Sequence, residues 1–125
     1  MKAMKNELAF RYLRGGQIKP IRADLDFRIL RRDGRVAFVD CKSFTTDRFA
    51  YSQISPDQLR RALCYQSYNI PSGFVVWLHS ARQARFYSGQ TIHRRGPGSS
   101  FRPEHGVLLG GLYDFSLGKI FTVCE

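Results

Sequence analysis

Residues 23–44, ADLDFRILRRDGRVAFVDCKSF, constrain the fold more than any other part of the chain. Two β-prone runs, ADLDFRIL (23–30) and RVAFVDCKSF (35–44), flank RRDG, whose Asp33-Gly34 pair signals a turn. The pattern predicts an antiparallel hairpin. Side chains alternate along a strand, so Val36, Phe38, Asp40 and Lys42 fall on one face, the last two about 7 Å apart along the chain. Phe38, Val39 and Cys41 argue that this strand is not at an edge. If the turn closes at 31–34, the Asp26 end of the first strand lies beside the Asp40 end of the second, and Asp24 shares a face with Asp26. Two carboxylates and a lysine would then converge.

The remaining periodicities build a domain around that hairpin. Met4, Leu8 and Tyr12, with Ala9 and Leu13 adjacent, predict a first helix ended by Gly15-Gly16, and Glu7, Arg11 and Arg14 form its polar face. TTDRFAYSQ (45–53) has no clear period and reads as a loop. ISPDQLRRALCYQSY (54–68) predicts a second helix with Ser55 as N-cap, Pro56 at the first helical position and Leu59, Ala62 and Leu63 as the buried stripe. FVVWLHS (74–80) reads as a buried strand paired with ARFYSG (84–89). Residues 90–106, rich in Gly, Pro, Ser and Arg, are expected to be a flexible basic loop, and 107–125 supply final apolar segments. No repeat or linker divides the chain, so residues 1–125 are expected to be one α/β domain with a mixed sheet flanked by helices.

Charge narrows the partners. The chain carries 20 Lys+Arg against 10 Asp+Glu, a formal +10, which calls for a polyanion. A membrane is the weaker choice: no run of 18 apolar residues occurs, and the N-terminal residues lack a signal peptide's apolar stretch. Cys41, Cys64 and Cys124 have no close-pair spacing, which argues against a disulfide scaffold or structural zinc site and for buried thiols in a reducing cytoplasm. His79, His93 and His105 have no metal-ligand spacing, and His79, at a strand end, reads as hydrogen-bonded structure.

Close carboxylates repel, and a divalent cation such as Mg²⁺ is the usual remedy, taking a few carboxylate oxygens and keeping waters. Such an ion activates water and neutralises charge on a phosphoryl group. Lys42, a compact point charge, can orient that water or stabilise a developing phosphorane. On a basic domain the natural phosphodiester is nucleic acid.

Asp26, with Asp40-Cys41-Lys42 fourteen positions on, resembles the PD-(D/E)XK nuclease signature. LDFRILRRDGRVAFVDCKS (25–43) is similar to the hairpin of its VRR-NUC and RecU-like branches, and Gln58 in ISPDQ (54–58) matches the glutamine that opens the following helix there. Phe49, nine positions before Gln58, matches RecU-type Holliday junction resolvases, and Glu7 in NELAFRYL (6–13) stands where those families carry a glutamate on their first helix. The resemblance covers about residues 5–89; Leu25 replaces a common proline, and Asp40 a commoner glutamate.

The resemblance implies a restriction-endonuclease-like fold with an αβββαβ core. It implies a cytoplasmic endonuclease acting on branched DNA, four-way junctions above all, as a homodimer. Mg²⁺, or Mn²⁺ in its place, would be held by Asp26, Asp40, Glu7 and the Cys41 backbone carbonyl. Lys42 would activate or orient the attacking water, and Gln58 would position Lys42 or the water. The spacing to Asp40 selects Asp26 over Asp24 as the first ligand. Arg94 and Arg95, with Phe101 nearby, and Arg48, Arg60 and Arg61 are the candidate DNA contacts. The competing readings are a nicking or flap nuclease without junction preference and a catalytically silent DNA-binding module. For Asp40-x-Lys42 alone, the plain alternative is a surface salt bridge.

Overall fold

The computed structural model describes residues 2–5 and 25–122. Its strands are β1 (Lys2–Lys5), β2 (Phe27–Leu30), β3 (Val36–Phe44), β4 (Phe49–Ala50), β5 (Ser72–Leu78), β6 (Gln83–Ser88), β7 (Ser100–Phe101) and β8 (Val107–Gly111). The helices are α1 (Pro56–Ser67), α2 (Gly89–Arg95) and α3 (Lys119–Thr122). Six strands form one mixed sheet in the order β1-β2-β3-β5-β6-β8, while β4 and β7 pair separately.

The hairpin forms as its turn chemistry dictates. The Gly34 N–H donates to the Arg31 carbonyl at 3.0 Å, and Gly34 adopts φ 90°, which a side chain would resist. Asp33 accepts from the Arg35 N–H at 3.1 Å and from Arg31 Nε at 2.9 Å. The register runs from Leu30↔Val36 to Phe27↔Val39. Strand β3 then pairs in parallel with β5, matching Asp40 to Phe74 and Lys42 to Val76. A parallel pair needs a long crossover, and β4 with α1 supplies it. Strand β3 is thus interior, as its apolar neighbours predict.

Each face of the sheet buries its own core. Ile29, Ala37, Val39, Val75 and Phe86 meet Ile120 and Phe121 on one side. On the other, Phe74, Val76, Leu78 and Tyr87 meet Phe49, Leu59, Ile92 and Phe101. Helix α1 starts where its cap predicts: the Ser55 hydroxyl accepts from the Gln58 N–H at 3.4 Å and Pro56 opens the first turn.

Several expectations are corrected. Met4 lies in β1, not in a helix, because Lys2–Lys5 pairs along the outer edge of β2 and backbone pairing outweighs local periodicity. The remainder of the expected first helix, Glu7 included, and Asp24 lie outside the described residues. Strand β2 begins at Phe27, later than the run from 23 implied. The stretch 90–106 is built into the fold: Ser88 caps α2, and Ile92 and Phe101 are fully buried. Its Gly and Pro residues punctuate short elements. Within the expected 45–53 loop, Phe49–Ala50 pairs with β7. Cys64 is exposed on α1, and only Cys41 of the two described cysteines is partly buried.

Candidate active site

Asp40 and Lys42 occupy adjacent same-face positions on β3, and Lys42 Nζ lies 2.8 Å from Asp40 Oδ2. The Asp40 side chain is 1% exposed and that of Lys42 25%, so this is not the surface pair of the plain alternative. Among the described residues, Asp40 Oδ1 is buried with no hydrogen-bond partner, and so is Gln58 Oε1. A buried acceptor left unpaired costs about 1–3 kcal/mol, more for a charged group, and calls for a donor or a cation.

Gln58 reaches this pair by helix arithmetic. The Tyr65 ring of α1 stacks on Phe38 of β3 at 4.2 Å between centroids. The crossover connection runs α1 opposite to β3, and Gln58 lies two turns before Tyr65 on the same helix face, about 10.5 Å along the axis. Three strand residues cover about 10 Å. Gln58 therefore sits over the Asp40–Lys42 segment, on the face where Phe38 meets the helix.

Asp26 directly precedes β2, and extending the Phe27↔Val39 pair by one step sets it across from Asp40. It is exposed, unlike Asp40. The Cys41 thiol registers both carboxylates: burial first, then Asp40, then Asp26, push its pKa up to about 12, with Lys42 opposing. The hairpin register thus sets Asp26 beside the Asp40–Lys42 pair, and helix spacing sets Gln58 over it.

Among the described residues no group of three or more His, Cys, Asp and Glu is arranged to hold a metal ion. Two carboxylates with one orphaned oxygen still match a hard cation, since Mg²⁺ is commonly held by one or two carboxylates and keeps several waters.

The arginines divide. Arg48 bonds Asp47 at 3.1 Å beside β4, and that hydrogen bond, with Arg102 contributing, lowers the Asp47 pKa. The Phe49↔Phe101 pairing brings Arg48 and Arg102 together, held up by stacking of Phe49 on Phe44 and Phe101. Arg60 pairs with Asp57 at 2.8 Å, and Arg61 lies beside it on α1. Arg94 instead lines a cavity of about 330 Å³ with Gln66 and Asn69, at the end of α1 away from Gln58. Arg95 bonds the Ser100 carbonyl at 3.2 Å and lies over Phe101, so it braces its own loop. His79 is hydrogen-bonded, as expected: Nε2 lies 2.7 Å from the Ser43 hydroxyl. The Arg48–Arg102 juxtaposition was not visible in the sequence, because two short strands 52 positions apart create it.

No protein-family model matches the chain, and no curated protein matches it in sequence. Among solved structures, the chain is similar to Hjc of Archaeoglobus fulgidus, a Holliday junction resolvase from an archaeal hyperthermophile. The superposition has a TM-score of 0.55 at 12% identity and covers 98% of this chain and 85% of that one. The mixed sheet flanked by helices is thus the restriction-endonuclease-like fold of that resolvase, the fold implied by the Asp26, Asp40-Cys41-Lys42 resemblance to PD-(D/E)XK nucleases.

Proposed function

We propose that the protein is a metal-dependent, structure-selective DNA endonuclease, with four-way junctions as the favoured substrate. The observation that carries this reading is the buried Asp40–Lys42 pair whose second carboxylate oxygen has no partner. A purely structural ion pair is stable in an interior only when its remaining acceptors are satisfied.

In this reading Asp26, Asp40, the Cys41 carbonyl and Glu7 hold a divalent cation, which supplies water activation and charge neutralisation at the phosphoryl group. Lys42 keeps one side toward Asp40 while its partial exposure lets it face the scissile phosphate or attacking water. The Gln58 side-chain oxygen accepts a proton of that water and fixes its direction. Arg48, Arg60 and Arg61, on β4's approach and the first half of α1, contact phosphates on the Gln58 side, while Arg94 and Arg95 are farther from the chemistry. The formal +10 charge favours a phosphate backbone. Resolving a junction requires two symmetric cuts, so a C2 homodimer is part of the proposal. The likeness of the fold to a Holliday junction resolvase, at 98% coverage of the chain, supports the nuclease reading.

The deciding experiment incubates the protein with a four-way junction and with linear duplex of the same sequence, each with Mg²⁺ and with a chelator. Junction-selective, Mg²⁺-dependent cutting is expected. Equal cutting of both substrates removes the junction preference. Binding without cutting under any condition leaves only the DNA-binding module.

A further inference from the structure

Tyr113 is 95% exposed, more than any other large hydrophobic residue among those described. The turn that carries it is tightly held. The Gly111 N–H donates to the Asp114 carbonyl at 3.0 Å, and the Ser116 N–H to the Leu109 carbonyl at 3.1 Å. The indole N–H of Trp77 donates to the Leu112 carbonyl at 3.2 Å, while the Phe115 ring meets Trp77 edge-on at 5.4 Å. Gly110 has φ 148°, and a Cβ there would lie 2.5 Å from the Asp114 carbonyl oxygen. The residues flanking Tyr113 are thus pinned to the sheet while its own ring touches solvent.

The register fixes where that ring stands. Phe44 pairs with Leu78, Leu78 with Gln83, and Gln83 with Gly111, so the Tyr113 turn lies at the same end of the sheet as the end of β3 that follows Lys42. The turn between β5 and β6 lies between them and presents exposed His79 and Arg82. An aromatic face on the same rigid edge as the cationic Arg82 matches how proteins meet nucleobases and their backbone.

We infer that Tyr113 is a stacking wedge for an unpaired or opened nucleobase, at the same end of the sheet as Lys42. This rests on the DNA reading above. Three strand spacings, about 14 Å, separate β3 from β8, and the turn beyond β8 packs against Trp77 on the sheet face opposite Lys42, so the ring stands at least about four base steps of 3.4 Å from Lys42. The wedge therefore engages a base four or more nucleotides from the scissile phosphate.

The test measures affinity of the full chain for a four-way junction across a salt series, using wild type, Tyr113→Ala and Tyr113→Phe. The substitutions alter a solvent-facing ring, and circular dichroism checks that each variant folds. Tyr113→Ala is expected to weaken binding roughly five- to 150-fold, the range for one base–aromatic stack, with the slope of log affinity against log salt unchanged. Tyr113→Phe is expected to retain wild-type affinity. An abasic site scanned through the junction should erase the wild type–Ala difference at one position, four or more nucleotides from the cut. Equal affinity of Tyr113→Ala and wild type, a Phe variant as weak as Ala, or no coupling at any abasic position overturns the wedge. So does a loss of affinity explained by a changed oligomeric mass in sedimentation, which would place a second copy of the chain on Tyr113. Failure of wild type to bind junction or duplex at low salt instead sinks the DNA reading itself, and the wedge with it.

Discussion

Replacing Lys42 by Met tests the site through stability and chemistry together. The substitution keeps an unbranched side chain of similar reach and removes the ammonium 2.8 Å from Asp40 Oδ2. The carboxylate left behind is 1% exposed and already has one oxygen without a partner. Stripping one member from a buried ion pair costs about 3–5 kcal/mol, and the 25% exposure of Lys42 sets the expectation near the lower end, about 3 kcal/mol. In a domain of 125 residues that lowers Tm by about 10–15 °C. Urea unfolding measures the loss, and the Asp40→Asn/Lys42→Met double variant should recover at least half of it, because no buried charge remains unpaired. Excess Mg²⁺ should stabilise Lys42→Met, by about 2.7 kcal/mol at one hundred times its Kd, and leave Asp40→Asn unaffected. Single-turnover cleavage by Lys42→Met should be slower by at least about two orders of magnitude with junction binding intact. A stability loss below about 1 kcal/mol, the worth of a solvated pair, would refute the buried-pair reasoning. Cutting at the wild-type rate would refute the role of Lys42.

Asp26→Asn and Asp40→Asn should each abolish cleavage while junction affinity holds or rises, since each removes negative charge facing phosphate; residual turnover above a few per cent excludes that aspartate as a ligand. At pH 8 iodoacetamide should label exposed Cys64 and spare Cys41, whose thiol is pushed up to about 12, as read by peptide mass spectrometry. Asp33 is held down to about 2, chiefly by the Arg31 hydrogen bond and then by the Arg35 N–H. Its contribution to stability is therefore present above the ordinary value of 3.8 and is lost as pH falls through about 2; an NMR titration of Asp33 with its midpoint at 3.8 would contradict the turn geometry.

The hairpin, the α1 cap and the β5–β6 pair were legible because each is written locally, in Asp33-Gly34, in Ser55-Pro56 and in alternating apolar runs. Asp26, Asp40 and Lys42 were legible for the same reason, since one turn sets their register. What escaped depends on distant partners. Lys2–Lys5 becomes a strand only because β2 offers an edge, and the 90–106 segment is ordered by Phe101 packing against Phe49 and Tyr87. Arg95 read as a DNA-gripping residue, and its hydrogen bond to the Ser100 carbonyl appears only in the folded loop. Tyr113 gave no signal, because a tyrosine's exposure is a property of the surface and not of its neighbours in sequence.

The parallel pairing of β3 with β5 also sets when the site can exist during folding. The strand bearing Asp40 and Lys42 finds its second neighbour only after residues 45–71 have closed their loop, a non-local step with a high entropic barrier. Gln58 belongs to that same loop. The β2–β3 hairpin alone can therefore bring the acidic residues together early, but it cannot exclude water from Asp40 or set Gln58 above it. A nascent or truncated chain ending before β5 carries every one of these side chains but neither the burial of Asp40 nor the placement of Gln58, so on the proposed reading the site's competence would arrive only with global folding.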